Sequence, residues 1–114
     1  MEMQVRQEGL FHIVGCQGRM DATVAGSLKD RILQLVDKGA RRLILDLGGV
    51  DFLDSSGLGV LVTCLRRIRE KQGEIKLAGL RPEVQSIFEI TRVEFPIVAG
   101  LIQSRFKTLA LLIL

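Results

Sequence analysis

The first twenty positions alternate between apolar and polar residues in a way that predicts two β-strands. Residues 3–7 alternate weakly, Gly9 follows, and residues 10–16 are rich in strand-forming types. The short gap between the two runs predicts a β-hairpin. Gly15 and Gly18 are expected to end the second strand, because glycine is typical of strand boundaries.

A helical periodicity begins shortly after position 20. Asp21 or Thr23 can serve as its N-cap, and Gly39 stands where a helix commonly ends in glycine. The spacing predicts one apolar face, formed by Ala25, Leu28, Ile32, Leu35 and Val36.

The middle of the chain predicts a buried strand followed by a second helix. Residues 43–47 are almost continuously apolar, as expected of a covered strand in a parallel sheet, and Gly48–Gly49 are expected to end it. Residues 58–71 then show helical spacing, with Gln72–Gly73 as the stop. The apolar face of this helix consists of Leu58, Leu61, Val62, Leu65 and Ile68.

The last third predicts a strand, a short helix, a strand and a final helix. Residues 74–79 alternate, and Pro82 suits the first position of a helix. Residues 95–99 form the last predicted strand, at a sheet edge because Pro96 lacks a backbone donor. A fourth helix is predicted from Leu101.

The predicted order is β-β-α-β-α-β-α-β-α. Strands separated by helices need crossover connections, so we expect a mixed, mostly parallel sheet with about four packed helices. The length of 114 residues fits one α/β domain spanning 1–114.

Composition and charge narrow the range of functions. Aromatic residues make up only 4% of the chain, so Leu, Ile and Val must supply the core. A net charge of +3 without a basic run interleaved with aromatics argues against direct nucleic-acid binding. Cys16 and Cys64 fit buried free thiols of a reducing compartment, and His12 has no partners at metal-ligand spacing. Residues 109–114 are apolar but too few to span a bilayer. The expected free thiols favour a cytoplasmic protein.

The candidate chemistry lies between the central strand and the second helix. Asp54, Ser55 and Ser56 are all good N-cap types, so two hydroxyls stand at a helix start, where the dipole favours negative charge. Such a place suits a phosphate or a partner surface, and a simple N-cap is the structural alternative. The sequence lacks a Walker loop, a GxGxxG strand turn and a GxSxG elbow, and its one histidine sits within a strand pattern, so we expect no enzyme.

A switchable binding module fits these residues better than catalysis does. A phosphate on Ser55 would add roughly −1.5 to −2 charges at pH 7. The helix start tolerates that charge, so phosphorylation would act on whatever docks against the two serines, through lost hydrogen bonds and a charge to be desolvated.

A resemblance to a known family appears in the same residues. Residues 46–59, DLGGVDFLDSSGLG, are similar to the signature of the anti-sigma factor antagonists, the bacterial STAS-domain proteins. Residues 18–22, GRMDA, resemble their second motif, with Met20 in place of the usual Leu or Ile. The similarity runs from about residue 10 to residue 98. Residues 101–114 depart most, being basic and Leu-rich where the family is often acidic and Ala-rich.

The resemblance implies a bacterial cytoplasmic phosphoprotein that regulates transcription by partner switching. The unmodified antagonist binds an anti-sigma factor that is also a serine kinase, and so frees a sigma factor. The kinase phosphorylates the serine that corresponds to Ser55, and a metal-dependent serine phosphatase restores it. ATP belongs to the kinase, so no cofactor or metal is expected here. The implied partner-binding positions are Asp21, Asp54, Ser55, Ser56, Gly57 and Leu58.

Three questions remain open at this point: the function, the role of the motif residues and the role of the C-terminus. The chain could instead be a STAS-type regulatory subunit of a transporter or of a stress-signalling complex, or a nucleotide binder. The motif glycines and Asp54 could serve the turn alone. The Leu-rich C-terminus could fray, cover the core or form a weak homodimer through the last helix.

Overall fold

The computed structural model describes residues 1–92 and the backbone of residues 97–98. They form one five-stranded sheet whose strands lie side by side in chain order. The strands are β1 (Glu2–Glu8), β2 (Phe11–Met20), β3 (Arg42–Leu53), β4 (Glu74–Ala78) and β5 (Ile97–Val98). β1 pairs antiparallel with β2, and the other three pairs are parallel. The predicted hairpin and the mixed, mostly parallel sheet are confirmed.

Three helices connect the parallel strands within the described residues: α1 (Ala22–Asp37), α2 (Ser55–Glu70) and α3 (Pro82–Thr91). Each crossover steps to the next strand in the same direction, and right-handed crossovers then place all three helices on one face of the sheet. The described order, β-β-α-β-α-β-α-β, differs from the predicted order in lacking the fourth helix. That helix, predicted from Leu101, lies outside the described residues, as does its suggested homodimer contact.

The main core fills the space between the sheet and the helices. Val14, Leu45 and Leu77 are in register on three neighbouring strands, and each is fully buried. The helices contribute Leu28, Ile32, Val36, Leu61, Cys64, Leu65, Ile68, Val84 and Phe88. Leu, Ile and Val therefore dominate this core, as the aromatic-poor composition predicts.

Both central strands are longer than predicted, because their glycines do not end them. β2 continues through Gly15 and Gly18 to Met20, with register shifts against β3 at both places. β3 continues through Gly48–Gly49 to Leu53. A Cβ on Gly49 would lie 2.6 Å from Cγ of Gln17, so glycine here permits close approach of two paired strands.

The predicted helix boundaries hold in most places. Asp21, not Thr23, caps α1, and Gly39 follows that helix with φ +109°. Pro82 occupies the first position of α3, as expected. No helix of the described residues is long and apolar enough to cross a membrane.

Candidate functional site: two adjacent helix starts

Two helices begin side by side at the carboxyl edge of the sheet. Met20 ends β2, Leu53 ends β3, and the two residues are paired in register. The backbone amide of Asp54 donates to the carbonyl oxygen of Met20 at 3.3 Å. This bond joins the segment that leads into α1 to the segment that leads into α2.

Asp54 is the N-cap of α2. Its backbone is extended, with φ −106° and ψ −175°, and its Oδ1 accepts a hydrogen bond from the amide of Gly57 at 3.0 Å. The amide of Leu58 donates to the carbonyl oxygen of Asp54 at 2.9 Å. The helix therefore begins at Ser55, three residues before the predicted start at position 58. The two serines are the first two residues of the helix and not its cap.

The two serines differ in exposure. Ser55 is exposed, and Ser56 is half-buried. Neither hydroxyl has a hydrogen bond to any residue that the structure describes. Ser55 is therefore open to a modifying enzyme, and its oxygen carries no structural task that a phosphate would disturb.

Gly57 fixes the position of this helix start against the end of β2. An added Cβ would overlap the carbonyl oxygen of Met20 and lie 2.8 Å from Cδ1 of Leu53. Gly59, one half-turn further, is exposed, and a Cβ there would meet nothing within 4 Å. The first glycine is required by packing, whereas the second occupies a helix interior where nothing in the described fold requires it.

The neighbouring start of α1 is also capped by an aspartate. Oδ1 of Asp21 accepts hydrogen bonds from the Thr23 amide at 3.0 Å and from the Thr23 hydroxyl at 2.6 Å. These bonds, the hydroxyl bond first, hold the pKa of Asp21 below its usual range, with help from the charge of Arg19. The guanidinium of Arg19 lies over the ring of Phe52, 3.9 Å from its centroid.

The structure brings most of the predicted partner-binding residues together. Asp21, Asp54, Ser55 and Ser56 lie around the paired ends of β2 and β3, with the backbone of Gly57 beneath them. Leu58 is 8% exposed and belongs to the core.

Sequence reasoning missed Arg19 and Phe52, which are paired across β2 and β3. Arg19 stands inside the GRMDA motif, two residues before an aspartate, and that spacing on a strand places both side chains on one face.

Within residues 1–92, the histidine lies far from this edge and both cysteines are buried. His12 lies near the other end of β2, eight residues from Met20, which is roughly 25 Å of strand. Burial raises the pKa of Cys16 to about 12 and that of Cys64 to about 11, so neither thiol is readily ionised. In residues 1–92, no three potential metal ligands cluster.

Comparison with known proteins identifies the family to which this chain belongs. The sequence profile of the STAS domain matches residues 2–109. The chain belongs to the STAS domain family. Over 80 residues it is 39% identical to the "putative anti-sigma factor antagonist BtrV" of Bordetella bronchiseptica, with 69% of each chain covered. Over 92 residues it is 32% identical to the anti-sigma-B factor antagonist of Listeria monocytogenes. The aligned residues cover 80% of this chain and 81% of the Listeria protein.

Solved structures share the STAS fold of this chain. The Bacillus cell fate determinant SpoIIAA, an anti-sigma factor antagonist, has been solved in unphosphorylated and phosphorylated forms. Each form matches this chain with a TM-score of 0.75 at 16% identity, covering 97% of this chain and 97% or 99% of the other.

Proposed function

We propose that this STAS domain is an anti-sigma factor antagonist whose affinity for its partner is controlled by phosphorylation of Ser55. In the unmodified state it binds an anti-sigma factor that is also a serine kinase, and a sigma factor is released. Phosphate on Ser55 ends that binding, and a metal-dependent serine phosphatase restores it. The domain acts by binding in the bacterial cytoplasm, and the kinase supplies the ATP.

The observation that carries this proposal is the state of the Ser55 side chain. Its hydroxyl is exposed and unbonded to any described residue, at the first position of a helix that Asp54 already caps. A phosphate attached there replaces no hydrogen bond of the fold. The relatives named as anti-sigma factor antagonists support the choice of partner.

Electrostatics explain why a phosphate on Ser55 is tolerated by the domain and opposed by its partner. The start of α2 favours negative charge, which offsets part of the repulsion between a phosphate and the Asp54 carboxylate. A partner fitted to a neutral hydroxyl must instead exclude or desolvate about two negative charges. A loss of about 2.7 kcal/mol in binding is a hundredfold loss of affinity.

The partner surface centres on the two helix starts. Asp21, Asp54 and Ser56 flank Ser55, and Gly59 lies one turn beyond it on the outer face of α2. Without a side chain at Gly59, a partner can approach the helix backbone closely beside the modified serine.

Calorimetric titration with the cognate anti-sigma kinase tests the proposal. We expect Ser55→Asp to weaken binding at least a hundredfold and Ser55→Ala to retain it, with melting temperatures close to that of the unaltered protein. Ser86→Asp is the control for the added charge, because Ser86 is an exposed helical serine on α3. Its hydroxyl, unlike that of Ser55, donates to the Pro82 carbonyl oxygen. Unchanged affinity of the Ser55→Asp variant, or equal losses at Ser55 and Ser86, would contradict the proposal.

A further inference from the structure

Arg19 is held beside the site by contacts that it can exchange. Its side chain is 61% exposed, and its Nε lies 3.6 Å from Oδ2 of Asp21. That distance exceeds the roughly 2.7–2.9 Å of a charge-assisted hydrogen bond. Asp21 keeps two shorter hydrogen bonds from Thr23 without it. The guanidinium also lies over the ring of Phe52. The exposed ion pair between Arg19 and Asp21 contributes little to stability.

Arg19 and Ser55 lie on either side of one backbone hydrogen bond. Arg19 precedes Met20, Ser55 follows Asp54, and the Asp54 amide donates to the Met20 carbonyl oxygen. Covalent geometry and the 3.3 Å hydrogen bond along this path limit the separation of the Arg19 and Ser55 Cα atoms to about 15 Å. An arginine and a phosphoserine directed towards each other span most of that distance.

The charges at this edge favour such a contact. The two segments that meet here, residues 19–21 and 51–55, carry three carboxylates, those of Asp21, Asp51 and Asp54. Arg19 supplies the one positive charge of these two segments. A phosphate on Ser55 would add about two negative charges to this excess, and a planar guanidinium binds phosphate in a bidentate geometry.

We propose that Arg19 is the internal partner of the phosphate on Ser55: its guanidinium leaves Asp21 and binds the phosphate oxygens while it stays over Phe52. This rests on the proposed function in that Ser55 is the modified residue. Departure of Arg19 leaves the Asp21 carboxylate without its counter-charge. One modification then makes both helix starts more negative, which enlarges the change that a partner meets.

The test uses the full chain with phosphoserine placed at position 55 during synthesis, so that no kinase is needed. The second pKa of phosphoserine, ordinarily about 6, is measured by phosphorus NMR. We expect it to be about half a unit lower in the unaltered background than in Arg19→Gln, because a nearby cation favours the dianion. The Arg19 Nε–H resonance is expected to move on phosphorylation.

Two further variants control this experiment. Arg42→Gln removes an arginine that lies over Phe11 near the opposite end of the sheet, and it should leave the phosphate pKa unchanged. Arg19→Lys keeps the charge without the bidentate fork, so it should retain part of the shift even if Arg19→Gln folds poorly. Equal phosphate pKa values in the unaltered, Arg19→Gln and Arg19→Lys backgrounds would overturn the proposal. Failure of the proposed function would appear separately, as kinase binding that phosphoserine at 55 does not weaken.

Discussion

The starts of α1 and α2 are built alike and present different surfaces. Each helix has 16 residues, follows the end of a central strand and is capped by an aspartate. In α1, the hydroxyl of Thr23 is bonded to the cap carboxylate at 2.6 Å. In α2, the cap carboxylate bonds the Gly57 amide, and the hydroxyl of Ser55 has no bond to the described residues.

This difference separates a hydroxyl that stabilises the fold from one that has no bond to the described residues, while both Thr23 and Ser55 are exposed. The Thr23 hydroxyl cannot be modified without loss of its bond to Asp21, whereas that of Ser55 can. The third position of α1 is Val24, but in α2 it is Gly57, which lets the helix start press against Met20. Packing of Gly57 against Met20 thus holds the backbone next to Ser55 in place, while the Ser55 hydroxyl is available for modification.

The largest effect is expected from replacing Ser55, whose hydroxyl is the proposed site of phosphorylation. Incubation with the cognate kinase and ATP, followed by mass spectrometry, should place the phosphate on Ser55. Ser55→Ala should abolish its incorporation, whereas Thr23→Ala should not. Phosphate on Thr23 would show that the bond to Asp21 does not prevent modification, and it would contradict the comparison.

The two glycines of α2 should respond in opposite directions. Gly57→Ala is expected to destabilise the domain by about 1–3 kcal/mol, because its Cβ overlaps the Met20 carbonyl oxygen. Gly59→Ala should stabilise it by about 0.5–1 kcal/mol, since that Cβ meets open space in a helix interior. Urea denaturation measures both, and equal effects would mean that the two positions are packed alike.

Removal of the α2 cap should cost less. Asp54→Ala is expected to lower the free energy of unfolding by about 1 kcal/mol, because the Gly57 amide loses its acceptor. Asp54→Asn retains a cap oxygen and should lower the free energy of unfolding by only roughly a few tenths of a kcal/mol. Chemical denaturation of both variants distinguishes loss of the cap from loss of charge, and an equal cost would point to the charge.

The smallest effect concerns the pH dependence of the α1 cap. The pKa of Asp21 is lowered in the folded state, chiefly by the Thr23 hydroxyl, so its ionised form stabilises the fold above the ordinary value of 3.8. That contribution is lost as pH falls from 3.8 through the lowered folded value. Asp21→Asn retains a cap without a titrating charge, so its melting temperature should fall less over this pH window than that of the unaltered protein. If the melting temperatures of the two proteins fell equally with pH, Asp21 would make no pH-dependent contribution to stability.

Most elements of the fold could be predicted from local pattern. The run 43–47, the helical spacing of Leu28, Ile32 and Val36, and Pro82 at a helix start each identify their element, because burial on one face imposes a period. The ends of β2 and β3 could not be predicted. Gly18 and Gly49 resemble strand ends in isolation, and only pairing with the neighbouring strand makes them parts of a continuous ladder.

The candidate site was predicted in its residues but not in its geometry. Asp54, Ser55 and Ser56 are equally good cap types, and the sequence does not choose among them. The choice follows from β3 continuing to Leu53, which makes Asp54 the first residue outside the strand. Arg19 was overlooked, because its contact with Phe52 depends on strand register.

Local pattern along the chain predicts the order of elements through β5, the apolar faces and the serine motif, because these follow from hydrophobic period and residue type. Only the folded chain shows which residue caps α2, which of its glycines is tightly packed, and that the two helix starts lie together. Those features depend on the parallel pairing of β2 with β3, which brings Met20 against Asp54 and Gly57 from more than thirty positions away.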